Sequence, residues 1–129
     1  MLRLLCKTSS NAFLYINFQD HQVQTLANWD FFFPDITIKD VQDLPRLYTQ
    51  VEEKYVLPIK ELLFLEKRGL NTDSCIIRLR DGKTWVECEA TVMYDEQGQA
   101  TDKVIRFKDI SKFKNQNEEL TYMAYFDIL

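Results

Sequence analysis

The sequence predicts an α+β domain. Its centre is a five-stranded antiparallel sheet with helices packed on one face, and helical extensions flank it at both ends. Three observations carry this. Two short β-forming runs near the start flank a polar turn. A helical stretch around Pro58 follows, and three strand-like runs joined by Asp81-Gly82 and Asp95–Gly98 come last. A chain of 129 residues that is 46% hydrophobic and 13% aromatic can bury a core of its own. With only three Gly and three Pro, it does not read as disordered.

Residues 2–8 have the composition of a short helix, broken by Thr8-Ser-Ser-Asn11, so residues 1–11 are read as a helical lead-in. Ala12–Phe18 alternates two sets of β-forming side chains and predicts a strand. Gln19-Asp-His-Gln22 is a polar turn, and Val23–Ala27 completes a hairpin. Asn28–Ile38 crowds Trp29, Phe31, Phe32 and Phe33 before Pro34, with Asn28 or Asp30 as cap of a helical turn. Four such side chains cannot all face water without making a large apolar patch, so some must enter the core or an interface. Asp43-Leu-Pro-Arg46 predicts a helix start capped by Asp43, with Leu47, Val51 and Tyr55 as its apolar stripe. Pro58 interrupts that stripe, which predicts a kinked helix or two helices over about 44–68, ended by Gly69.

Asp73–Arg80, Lys83–Tyr94 and Lys103–Asp109 read as strands. A two-residue Asp81-Gly82 loop would pair Arg80 with Lys83. Leu79 then faces Thr84, Ile77 faces Val86 and Cys75 faces Cys88, on one apolar face with Ala90 and Val92. The other face carries Arg78, Arg80, Lys83, Trp85, Glu87 and Glu89. From Ser111 the spacing of Phe113, Asn117, Leu120 and Ala124 is helical, with Asp109 or Ser111 as cap.

Composition also excludes. A net charge of −4 argues against nucleic acid as a partner, because phosphate binding needs a basic surface. No apolar run approaches the ~18 residues of a membrane span, and Met1–Cys6 is too short for the apolar region of a signal peptide. Three widely spaced cysteines do not form a disulfide framework, and a reducing cytoplasm is the expected setting.

The element order, with Arg78-Leu-Arg-Asp-Gly-Lys-Thr-Trp-Val-Glu87, Asp95-Glu-Gln-Gly98 and Asp109-Ile-Ser111, resembles a PAS domain (sensory box). These segments are similar to the family's R-x-x-D-G-x-x-x-W-V-E, D-E-x-G and closing D-I-T. Ser111 stands where the family carries Thr and keeps the hydroxyl. The resemblance covers residues 12–111. The final segment, Leu120-Thr-Tyr-Met-Ala-Tyr-Phe-Asp-Ile-Leu129, resembles the L-x-x-x-A-x-x-D-x-L-T-G-L entry of a GGDEF (diguanylate cyclase) domain, stopping before the Thr-Gly. The expectation is a sensor module cut from a cyclic di-GMP-producing protein, with residues 112–129 as an exit helix and a GGDEF domain following in cis.

Candidate sites follow. Leu14, Ile16, Trp29, Cys75, Ile77, Thr84, Val86, Cys88, Ala90, Ile105 and Phe107 are expected to line an interior that takes a small apolar ligand or is simply filled. Asp109 and Ser111 are the expected coupling residues. Trp85 and Met93, on the outer sheet face, are expected at a homodimer contact or beneath a terminal helix, and Trp85 opposite Arg78 suits a cation–π pair. Cys75 facing Cys88 allows a thiol switch or two core-filling thiols. The chain's one histidine, His21, lies in a polar turn, away from any nucleophile or haem position. Phosphate loops, zinc spacings and the flavin-linking N-C-R-F-L-Q pattern are missing, so the cofactor stays unknown and no catalysis is expected within these residues.

Overall fold

The computed structural model describes residues 11–64 and 72–114. The expected lead-in helix, the stop at Gly69, the third cysteine Cys6 and the exit helix beyond Lys114 lie outside the described residues. Strands β1 (Ala12–Asn17), β2 (Val23–Ala27), β3 (Thr72–Arg78), β4 (Trp85–Tyr94) and β5 (Ala100–Asp109) form one antiparallel sheet in the order β2-β1-β5-β4-β3. First and last strands therefore lie side by side, with Leu14 opposite Ile105 and Ala12 opposite Phe107. Helices α1 (Trp29–Phe32) and α2 (Val56–Phe64) and a 3-10 segment, Val41–Gln50, supply the other layer.

Period-two alternation decides which face is covered. Ala12, Leu14, Ile16, Ile77, Val86, Cys88, Ala90, Ile105 and Phe107 are all buried in one cluster with Leu44, Leu47, Val51, Ile59 and Leu62. Of the four crowded aromatics, Trp29, Phe32 and Phe33 enter the core while Phe31 stays 69% exposed. Trp29 and Phe33 meet Phe107 edge-on at centroid distances of 5.6 and 5.3 Å, and the Trp29 indole N–H donates to the Ile36 carbonyl at 3.0 Å. Ala27 makes the turn that delivers them, at φ 63°, a conformation that costs a residue with a Cβ.

The helical region differs from expectation in three ways. Asp40, not Asp43, caps the first segment, accepting from the Gln42 amide, while Asp43 accepts from the Lys39 amide. The first segment is 3-10 over ten residues rather than α. The break falls at Val51–Glu52 and not at Pro58, which is the third residue of α2 and sits in a first turn whose amides have no partner within the helix. The cause of the break is tertiary. Val51 is extended and bridges Leu79, the Glu52 amide donates to the Arg78 carbonyl, and the Arg80 amide donates to the Gln50 carbonyl. At the other end, Val23 N–H donates to Lys39 O, Val41 N–H donates to His21 O, and Gln22 bridges Asp40. The 3-10 segment is thus tied to both edges of the sheet.

The β3–β4 register is the expected one, Cys75 opposite Cys88 and Ile77 opposite Val86. The loop is longer than two residues. Leu79 N–H donates to Thr84 O, and Gly82, at φ 72°, donates to Leu79 O, closing a turn over Leu79–Gly82. Arg80 cannot pair with Lys83, because its amide is spent on Gln50. β4 consequently starts at Trp85, and β5 starts at Ala100, three residues before the expected Lys103.

Asp81 holds the hairpin. Its carboxylate accepts from the amides of Lys83 and Thr84, each at 2.8 Å, and from the Thr84 hydroxyl at 2.5 Å. Burial on its own would raise the Asp81 carboxyl, but the bonds from Thr84 and Lys83 outweigh it and hold the pKa below the ordinary carboxylate value. A depressed carboxyl contributes stability that is present above the unfolded pKa and lost as pH falls through the folded one. Asp81→Ala is therefore expected to cost about 1 kcal/mol at pH 7, with the gap from the native chain closing as pH drops below about 4. Urea midpoints across pH 2–7 measure it, and a pH-independent gap would refute the assignment.

Candidate functional site

The interior candidates converge. Leu14, Ile16, Trp29, Ile77, Val86, Cys88, Ala90, Ile105 and Phe107 form the packed centre between sheet and helices. Cys75 is half-buried against that cluster. Thr84 is half-buried in the hairpin with its hydroxyl committed to Asp81, so it is not an interior polar group.

The thiols face one another, but register parity matters. The Trp85 carbonyl accepts from Ile110 and its amide donates to Ser111 Oγ, so both groups of Trp85 point away from β3. Arg78–Trp85 is then a non-hydrogen-bonded pair, and alternation makes Cys75–Cys88 a hydrogen-bonded one. In such pairs Cβ atoms lie toward ~5.5 Å apart, whereas a disulfide needs ~3.8 Å. Burial, and then the contact with Cys75, push the Cys88 thiol well up, which removes the thiolate that exchange chemistry needs.

The polar residue that sequence reading missed is Lys103. Its place two residues before Ile105 puts it on the core face of β5, between Ile16 and Val92 on the neighbouring strands. The side chain is 2% exposed, and its Nζ donates to the Leu63 carbonyl of α2 at 3.2 Å. It borders an open cavity of about 190 Å³ walled by Ile16, Phe18, Val41, Leu44, Leu63 and Phe64. The alternation Lys103, Ile105, Phe107 was the available signal. Tyr48 was also missed. Its hydroxyl is buried, has no partner among the described residues, and burial raises its pKa.

A second constellation sits where the sheet hands over to the final helix. The β4–β5 ladder ends at Val86 opposite Asp109. Ile110 N–H then donates to Trp85 O at 2.9 Å, Trp85 N–H donates to Ser111 Oγ at 2.9 Å, and Ser111 N–H donates to Asp109 Oδ1 at 2.8 Å. Asp109 does the capping, and the Ser111 hydroxyl fastens β4 instead. Residues 111–114 are helical, and Lys114 Nζ lies 4.6 Å from the Trp85 ring centre. The Arg78 guanidinium lies 5.1 Å from the same ring, and Tyr55 meets it edge-on at 5.7 Å. Arg78 is itself paired with Glu52 at 2.7 Å. Trp85 is thus half-buried by its own chain, whereas Met93, eight residues along the same strand face, is 40% exposed. The two do not form one patch.

No family model matches the chain, and no curated protein does. Solved structures do resemble it. One is a domain of a putative light and redox sensing histidine kinase from Haloarcula marismortui (11% identity, TM-score 0.60, 84% of this chain and 97% of that one). Another is the PAS domain of a protein from Colwellia psychrerythraea (15%, 0.59, 86% and 98%). A third is the N-terminal domain of a diguanylate cyclase with PAS/PAC sensor from Marinobacter aquaeolei (18%, 0.54, 81% and 98%). The fold is PAS-like. Among the described residues no helix is long and apolar enough to cross a membrane, and no cluster of three metal-ligating side chains occurs.

Two outcomes test this description. Mild peroxide treatment is expected to leave Cys75 and Cys88 as free thiols, and recovery of a bridged Cys75–Cys88 peptide by mass spectrometry would overturn the parity argument. Tyr48→Phe removes an unsatisfied hydroxyl and is expected to leave stability unchanged or raise it by up to about 1 kcal/mol. A loss of more than that in urea unfolding would show that the hydroxyl has a partner.

Proposed function

We propose that the chain is a regulatory sensor module that passes a change in its core to a following domain through the helix beginning at Ser111. The observation that carries this reading is the double fastening of that helix. Trp85 holds its start in three ways: its carbonyl accepts from the Ile110 amide, its amide donates to the Ser111 hydroxyl, and its ring lies under Lys114, while the same ring rests on Arg78 and Tyr55. The route runs from the 3-10 segment through Val51–Glu52 to Arg78, then Trp85, then Lys114. Each step is a direct contact rather than an inferred path. A shift of a few kcal/mol between two arrangements of this joint is enough to bias an output.

The following domain is proposed to be a GGDEF diguanylate cyclase in cis, producing cyclic di-GMP. Two things support it: the resemblance of residues 120–129 to the entry of that domain, and the diguanylate cyclase among the structural neighbours. In this reading residues 12–111 are the sensor, residues 112–129 the exit arm, and the working unit a homodimer, since two cyclase active sites must meet.

One observation favours a second reading, a PAS-like dimerisation module with no ligand: the predicted interior is filled, with Leu14, Ile77, Val86, Cys88, Ile105 and Phe107 fully buried against one another. The third, a Cys75–Cys88 redox switch, is opposed by the pairing geometry.

The test uses the full-length protein. Asp109→Ala removes the carboxylate that holds the Ser111 amide, a bond worth about 1 kcal/mol or more. Cyclase turnover is expected to persist while its response to the input falls about fivefold or more. Unchanged regulation in this variant would remove the joint from the mechanism.

A further inference from the structure

We propose that the groove between the β1–β2 turn and the β4–β5 turn binds a neutral, polyhydroxylated ligand of disaccharide size. β1 and β5 are neighbours, so the two turns come together at one end of the sheet. The Phe18 amide donates to the Thr101 carbonyl at 3.0 Å, one step beyond the last register pair, Asn17 opposite Asp102, and ties the two walls together. Each turn is also braced from within. Asn17 Oδ1 accepts from the amides of Gln19 and Asp20, and Asp95 Oδ1 accepts from the amides of Gln97 and Gln99. Between these walls lies an open cavity of about 410 Å³. Asn17, Gln19, Asp95, Gln99 and Asp102 line it with carboxamides and carboxylates, and Phe18 adds ring surface.

Volume and lining narrow the ligand class. An apolar cavity of ~150 Å³ holds a benzene ring. About 410 Å³ therefore takes two six-membered rings with their substituents. Among the described residues no lysine, arginine or histidine lines the groove, and an anionic ligand would meet the carboxylates of Asp95 and Asp102 instead. An apolar ligand would strip water from carboxylates and carboxamides without replacing its hydrogen bonds. A simple cation would use only the acceptors and leave the amino groups of Asn17, Gln19 and Gln99 without one. A hydroxyl both donates and accepts, so it suits both kinds of group, and its bond to a carboxylate is charge-assisted. The Gln19 and Gln99 carboxamides reach from opposite turns, and walls already braced lower the ordering cost of binding. The groove lies past Tyr94, at the other end of β4 from Trp85, and the binding does not rest on the sensor reading above.

The experiment titrates maltose, cellobiose and trehalose, each separately, into the full chain, with putrescine as the cationic probe. It follows the side-chain carboxamide resonances of Asn17, Gln19 and Gln99 and the backbone amides of the two turns. At least one disaccharide is expected to give saturable shifts confined to these groups, with a Kd of about 1–10 mM and binding at least about fivefold tighter than that of putrescine. The double variant Gln19→Ala, Gln99→Ala changes only exposed side chains. In it, disaccharide affinity is expected to fall about fivefold or more while putrescine affinity holds. Four results would overturn the proposal: no saturable shift with any of the three sugars, shifts centred away from the groove, putrescine binding as tightly as the best sugar, or an unchanged sugar affinity in the double variant. If that variant does not fold, the sugar-to-putrescine ratio in the native chain decides alone.

Discussion

The segment Val41–Gln50 spans the sheet, and much of the structure follows from the length it must cover. Its two ends are hydrogen-bonded to the two edge strands, through Lys39–Val41 at β2 and Gln50–Glu52 at β3. Five strands set those edges about 19 Å apart, at ~4.8 Å per interstrand gap. Ten residues of α-helix reach about 15 Å, whereas ten residues at the 3-10 rise reach about 20 Å. The 3-10 winding of ten residues, unusually long for that helix type, matches the span that the edge bonds impose. Leu44 and Leu47 then come down onto the middle of the sheet as core residues, and the edge amides that would otherwise invite another strand are partly covered.

This constraint also explains what was legible in the sequence. The sheet was readable because its signals are local: alternation in Ala12–Phe18, Asp81-Gly82 with its flanking runs, and a register that the hairpin alone determines. The inward Ile77, Val86 and Cys88 follow from that register, and Ile105 and Phe107 from alternation along the last strand. The helical layer was not readable to the same degree. Propensity places a cap at Asp43 and a break at Pro58, but Asp40 and Val51 act instead, because pairing with Gln22 and Leu79, distant in the sequence, outweighs about a few tenths of a kcal/mol of local preference. Thr84 was misplaced for a related reason. Treating Asp81-Gly82 as a complete two-residue loop leaves Thr84 in the strand, whereas the Asp81 carboxylate draws its hydroxyl into the turn.

Lys103 was passed over because a charged residue at the start of a strand reads as a solvent-side edge. The strand begins three residues earlier, at Ala100, so Lys103 lies inside it and alternation turns it inward. The same shift puts Asp102 on the outer face, where it accepts a hydrogen bond from the Tyr15 hydroxyl. The hydrogen bonds from Thr101 and Tyr15 keep the Asp102 carboxyl below its ordinary pKa, while the bond to Asp102 raises that of Tyr15. Adjacent residues of β5 thus carry opposite charges to opposite faces, each with its own partner.

The spanning segment borders the cavity beside Lys103 at one end and closes on the residues beside Trp85 at the other. Close-packed side chains such as Ile77, Val86 and Phe107 resist small displacements, because interiors are packed to crystal-like density. The 3-10 segment differs: it meets the Lys103 cavity at Val41 and Leu44 and ends on Arg78 and Leu79 through Gln50–Glu52. Arg78 is the residue that both pairs with Glu52 and lies against Trp85, which holds Ser111 and Lys114. A displacement at the cavity end of a strap fixed at two edges must be absorbed either at β2 or at β3. At β3 its anchor includes an ion pair and backbone bonds next to Trp85, whose ring lies under Lys114. At β2 its anchor is the hairpin β1–β2, remote in the strand order from β4. In the proposed sensor reading, a displacement of the spanning segment would reach the helix at Ser111 without disturbing the sheet centre, so a filled core is compatible with that reading.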